Sequence, residues 1–103
     1  MRILFDQGTP VPLRESLAEH EVSTAYELDW STMRNGDLLA AAEQRFDLLI
    51  TTDQNLPFQQ NLEGRHLAIL VLPTANWPLL RGRVAEIVAA VSEATPGRLR
   101  QLP

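Results

Sequence analysis

FDLLITTDQNLPFQQN, residues 46–61, decides the fold. From Phe46 to Thr52 it is apolar almost without a break, and it turns polar at Asp53. A strand with one wet face alternates apolar and polar residues. A strand covered on both faces reads as a continuous apolar run, and such strands belong to parallel sheets with helices above and below. HLAILVLP, residues 66–73, has the same character, so both segments predict central strands.

Outward from this pair, RILF at 2–5 is a short apolar run halted by Asp6, Gln7 and Gly8, as expected of a first strand entering a turn. Thr9 and Pro10 suit the N-cap and first-turn proline of a helix that passes Leu13 and Leu17 and ends about His20. EVSTA at 21–25 alternates and predicts a second strand, whereas YELDWSTMR at 26–34 has no period and reads as loop. Asn35 is placed to cap a helix with Gly36 and Asp37 in its first turn and Leu38, Leu39, Ala41, Ala42 and Arg45 at helical spacing. LPFQQNLEG, bracketed by Pro57 and Gly64, is a loop or a single helical turn. Asn76 or Thr74 caps a last helix with Leu80, Val84, Ile87, Val88 and Val91 on its core face and an Arg83–Glu86 surface pair.

That helix ends about Ala94, so residues 1–94 read as one domain and 95–103 as a C-terminal tail. The order strand, helix, strand, helix, strand, strand, helix predicts three layers, α/β/α, around a mainly parallel sheet of four strands.

A chain of 103 residues buries roughly two-thirds of the surface its unfolded form exposes. It holds no cysteine, which excludes disulfides and cysteine-ligated zinc. No apolar run reaches the roughly 18 to 20 residues of a spanning helix, and MRILF does not open a signal peptide, so a cytoplasmic protein without membrane contact is expected. Nine basic residues against 13 acidic ones leave a net charge of -4, which argues against a general polyanion-binding surface. A local acidic site can still handle nucleic acid, because a bound divalent metal inverts the field that a phosphate meets.

In open parallel sheets ligands bind beyond the carboxyl ends of the strands. Asp6 follows the first strand and Asp53 the third. If these strands are neighbours, two carboxylates share a crevice, and Mg²⁺ or Mn²⁺ takes such oxygen ligands together with water and substrate phosphate. The ordinary role of Asp after a strand is to form a turn or cap local N–H groups. Thr51 and Thr52 are candidates for orienting a substrate phosphate, and Gln54, Gln59, Gln60 and Asn61 form an amide-rich rim beside Asp53. Glu27 and Asp29 are reserve acids in a loop. Trp30 and Trp77 are large enough that core packing outweighs base stacking as their role, and His20 and His66 lack ligand spacing.

ILFDQG, NGDLLAAAEQRFDLLITTDQNL and the apolar strand after it, spanning about residues 2 to 72, resemble the DUF5615 group of PIN-like proteins, related to the Mut7-C ribonuclease-like domains. The resemblance implies a PIN-like α/β fold, a Mg²⁺- or Mn²⁺-dependent endoribonuclease acting on RNA, and frequent occurrence as the toxin of a toxin–antitoxin pair. An antitoxin partner and a homodimer follow as family expectations. Matched position by position, the first-strand acid of the group is Asp6 and the acid after the third strand is Asp53, the two implied metal ligands. Its helix-start acid falls on Asn35, and the second acid of its Thr-Arg-Asp-x-Asp-Phe motif falls on Asn55, with Thr52 for the arginine and Leu56 for the phenylalanine. Asn35 and Asn55 then assist through water, and Asp37 is the candidate third acid if residues 35–37 are loop.

Two amides for two acids raise an alternative: a PIN-like domain that has lost catalysis and serves as a binding module. A response-regulator-like phosphoacceptor also places Asp after a central strand, but it needs paired acids near the first strand and a late lysine. The chain has no lysine.

Overall fold

The computed structural model describes residues 1–59 and 64–103. Among them β1 (Arg2–Phe5), a 3₁₀ helix (Val11–Leu17), β2 (Glu21–Thr24), α1 (Asn35–Arg45), β3 (Leu48–Thr51), α2 (Leu56–Gln59), β4 (Ala68–Val71), α3 (Trp77–Arg81), α4 (Val84–Ser92) and β5 (Leu99–Gln101) follow one another. The strands form a single sheet in the order β2-β1-β3-β4-β5, and every neighbouring pair is parallel.

Successive side chains of a strand point to opposite faces, and both faces here are covered. On one, Ile3, Phe5, Leu48, Ile50 and Leu70 pack with Leu13 and Leu17 of the 3₁₀ helix, Leu80 of α3, and Ile87, Ala90 and Val91 of α4. On the other, Leu4, Leu49, Ile69 and Val71 meet Leu38, Leu39 and Ala42 of α1, with Phe46 and Leu56. This double covering is why β1, β3 and β4 admit no polar alternation. Each fully buried leucine or isoleucine contributes about 1.5–3 kcal/mol of transfer free energy, so these side chains dominate the stability of the sheet.

The two tryptophans serve this packing. Trp30 meets Phe46 edge to face at 6.1 Å between ring centroids, with the Arg45 guanidinium 5.5 Å above its ring. Trp77 packs against the opposite core.

Four expectations change. The sheet has five strands rather than four, because residues 99–101, read as tail, pair in parallel with β4. Ile69 N–H donates to Arg98 O at 3.0 Å and Leu102 N–H to Val71 O at 2.9 Å, and the Leu102 side chain is buried. A three-residue edge strand carrying Arg100 and Gln101 has too little apolar pattern to announce itself. Next, the segment after Pro10 is a short 3₁₀ helix, and the Thr9 hydroxyl does not cap it but donates to Ile50 O at 2.8 Å. Pro10 and Pro12 bring no N–H donors to that turn.

Third, the last helix is two helices with Gly82 between them. Asn76 Oδ1 accepts from Leu79 N and caps α3, while Thr74 Oγ1 accepts from Asn76 N. The break resets the helical phase, so Ile87, Ala90 and Val91 face the core and Val88 is exposed. The Arg83–Glu86 pair forms as expected at 2.7 Å. Fourth, Arg34, not Asn35, is the N-cap of α1, in extended backbone with no side-chain cap bond. Asn35 is thus the first helical residue and its amide is free for another partner. No helix among the described residues is long and apolar enough to cross a membrane.

Candidate functional site

β1 lies between β2 and β3, so the chain leaves β1 toward one side of the sheet and β3 leads to β4 on the other. The carboxyl ends of β1 and β3 flank this reversal of strand order, where open parallel sheets bind ligands. Asp6 is fixed there by its own N–H, which donates to Ile50 O at 3.0 Å and extends the β1–β3 ladder by one residue.

One hydroxyl joins the two acids. Thr51 Oγ1 donates to Asp6 Oδ2 at 2.8 Å and accepts from Asp53 N at 3.1 Å. Thr51 is 0 % exposed, so this hydroxyl has no water to fall back on. Asn35 Nδ2, from the first turn of α1, donates to Asp53 Oδ2 at 2.9 Å, and Asn55 N donates to Asp53 Oδ1 at 2.9 Å. Gln7 N completes the group by donating to Asp6 Oδ1 at 2.7 Å. An ionised carboxylate only accepts, which fixes the Asn35 amide with its nitrogen toward Asp53. The result is a continuous path, Asp6 to Thr51 to Asp53 to Asn35, built from three elements.

Gly8 closes the wall beside it. A Cβ at this position would stand 2.5 Å from Thr52 Oγ1, so the turn after β1 can lie this close to Thr52 only without a side chain.

Of the expected site residues, Asp6, Asp53 and Asn35 are brought together. Asn55 contributes its backbone N–H, while its residue is exposed. Asp37 is not a third acid of the crevice. The helix begins at Asn35, which leaves Asp37 exposed in the first turn, where its charge suits the helix dipole. Thr51 cannot touch a substrate because it is wholly buried, and its role is to position the two acids. Gln54 is also occupied: its amide donates to Leu72 O, and its Oε1 accepts from Gln101 Nε2 at 3.0 Å. Of the expected amide rim, Gln60 and Asn61 lie outside the described residues. His66 N donates to Glu43 Oε1 at 2.7 Å, and His20 Nδ1 is 3.2 Å from the amino terminus, both away from the crevice.

Thr51, expected as a phosphate contact, is instead the link between the acids. The Thr-x-Asp spacing carried the signal, since a hydroxyl two residues before an Asp can accept that residue's N–H. Glu27, read as a solvated reserve acid, is engaged as well. Its Oε1 accepts from Arg14 and from Thr24 N at 2.9 Å, while Thr24 Oγ1 accepts from Glu27 N at 3.1 Å. The Arg14 hydrogen bond first, then the Thr24 N–H, hold the Glu27 carboxyl below its ordinary value.

Among the described residues no group of three or more His, Asp or Glu side chains is placed to hold a metal. Asp6 and Asp53 nevertheless present hard oxygen donors at the ends of adjacent strands, linked through Thr51. Each carboxylate has about four lone-pair sites, two of which are used here, and magnesium is commonly held by one or two carboxylates with water completing its shell. Comparison of the chain with protein-family models, curated proteins and solved structures found no match.

Proposed function

We propose that this chain is a PIN-like domain of the DUF5615 kind and acts as a Mg²⁺- or Mn²⁺-dependent endoribonuclease, the toxin component of a toxin–antitoxin pair. What supports this reading is the coupling of Asp6 and Asp53 through the single buried hydroxyl of Thr51 at the reversal of strand order. Asp6 and Asp53 are the residues that would hold the metal. When bound, such a cation activates water and neutralises charge on a phosphoryl group in transfer. Thr51 sets the distance between the acids, and Asn35 orients Asp53 by a hydrogen bond that adds no charge.

A direct test incubates the chain with labelled single-stranded RNA and manganese at low salt, beside Asp53→Asn. Cleavage by the wild type that disappears in the variant supports the proposal. Cleavage that persists unchanged in Asp53→Asn, or is absent from the wild type, overturns it.

A second reading, a catalytically degenerate binding module, has its own observation. All four carboxylate oxygens of Asp6 and Asp53 already accept hydrogen bonds from the protein. RNA or a protein partner retained without turnover would select this reading. The homodimer and the antitoxin belong to the same proposal and rest on the resemblance alone, and a cytoplasmic location is proposed with them.

A further inference from the structure

A cleft opens beside Asp6. It has a volume of about 240 Å³, and its walls include Asp6, Gln7, Val11, Arg14, Tyr26 and Glu27. Tyr26 is 82 % exposed and Val11 55 % exposed, so two large apolar side chains face solvent within one small depression. Neither is a remnant of the core.

The backbone beneath Tyr26 is held firmly. Ala25 is buried, and its N–H donates to Phe5 O at 2.9 Å, carrying the β1–β2 ladder one residue further. Trp30 N–H donates to Ala25 O at 2.7 Å, Asp29 N–H to Tyr26 O at 3.1 Å, and Thr24 and Glu27 bond each other reciprocally. Asp6 is fixed by the same strand. The turn that carries Tyr26 and the acid of the neighbouring crevice therefore keep a set separation, and little backbone entropy remains to be lost when a ligand settles on the ring.

The charges in the cleft say what kind of ligand it suits. Asp6 and Glu27 are both acids, and the one cation, Arg14, is already bonded to Glu27 and to Val22 O. A phosphate would meet two negative charges and a guanidinium already engaged. A neutral aromatic ring meets an exposed Tyr face, a Val side chain and acceptor oxygens.

We propose that this cleft is a subsite for one unpaired nucleobase bearing an exocyclic amino group, stacked on Tyr26 with its amino group donating to Glu27. The proposal rests on the reading of the Asp6–Asp53 crevice as an RNA site, and it places the base next to the phosphate handled there. Because Arg14 keeps Glu27 ionised, its carboxylate accepts and does not donate. It therefore favours cytosine, whose N4 amino group is a donor, over uracil, which presents a carbonyl at the same place. Stacking on an aromatic side chain is sequence-tolerant, so Tyr26 supplies affinity and Glu27 the choice.

The test measures binding of fluorescein-labelled oligocytidylate and oligouridylate by anisotropy, at low salt with a chelator so that no cleavage intervenes. Tighter binding of oligocytidylate is expected. Tyr26→Ala should weaken both by roughly 5- to 100-fold, the range that loss of one stacked base implies, and Tyr26→Phe should restore both. Glu27→Gln should reduce the preference for cytidine. Equal affinity for the two oligomers, no binding of either, or indifference to Tyr26→Ala overturns the subsite. Tyr26 is exposed, so its variants fold if the wild type does. Manganese calorimetry on the same preparations reports the Asp6–Asp53 crevice separately, so the subsite can fail while the metal reading stands, or the reverse.

Discussion

Thr51→Val is the substitution that probes the geometry of the crevice with least collateral change. Valine matches threonine in shape, so no cavity opens, yet the Asp6 carboxylate loses a donor at 2.8 Å and the Asp53 N–H loses an acceptor at 3.1 Å. A hydrogen bond to a charged group contributes about 1.5–3 kcal/mol and a neutral one about 1 kcal/mol. Asp6 and Asp53 are only partly buried, so water recovers part of both. The net loss should be about 2 kcal/mol. For a domain of this size that lowers the Tm by roughly 8–16 °C, and it should appear in urea unfolding as a shifted midpoint with an unchanged slope.

A double-mutant cycle with Asp6→Ala isolates the bond itself. The coupling energy should be about 1 kcal/mol, within the range for residues in contact. A loss below about 0.5 kcal/mol in Thr51→Val, with no coupling to Asp6, would refute the bridging role.

Three further outcomes follow from the same structure. Gly8→Ala forces Thr52 to give way and should cost about 1–2 kcal/mol of stability, most of which Thr52→Ala in the same chain should recover, as urea midpoints of the single and double variants will show. Leu102→Ala should cost about 2 kcal/mol, at the low end for a buried leucine because the chain end can relax, and truncation before β5 should cost more; thermal unfolding of both tests whether residues 95–103 are dispensable. The Glu27 carboxyl is held below its ordinary value of 4.5, so its contribution to stability is present above that value and is lost as the pH falls through the lower folded-state value. The Tm difference between wild type and Glu27→Gln should therefore be largest near neutral pH and shrink in acid.

Much of this architecture was legible because apolar continuity is a loud signal. The runs around Leu48–Thr51 and Ala68–Val71 announced doubly covered strands, and the stripe of Leu38, Leu39 and Ala42 announced a helix against one face of them. β5 was silent because a strand of three residues with two polar ones carries no period. The break at Gly82 was missed since the stripe from Leu80 to Val91 nearly matches a single helix. At the site, Asp6 and Asp53 could be named from their places after strands, but their convergence depended on β1 and β3 being neighbours. The roles of Thr51 and Asn35 lay deeper still. A buried β-branched residue at a strand end looks like ordinary strand composition, and only the paired backbones bring its hydroxyl to Asp6. Asn35 looked like a helix cap until its place as the first helical residue turned its amide toward Asp53.

Whether Asp6 and Asp53 form one cation site is decided by manganese binding, measured by calorimetry at low salt and near neutral pH. Saturable binding by the wild type that vanishes in both Asp6→Asn and Asp53→Asn, with both variants folded by circular dichroism, is the predicted result. Absence of binding in the wild type, or binding that survives loss of either acid, would contradict it.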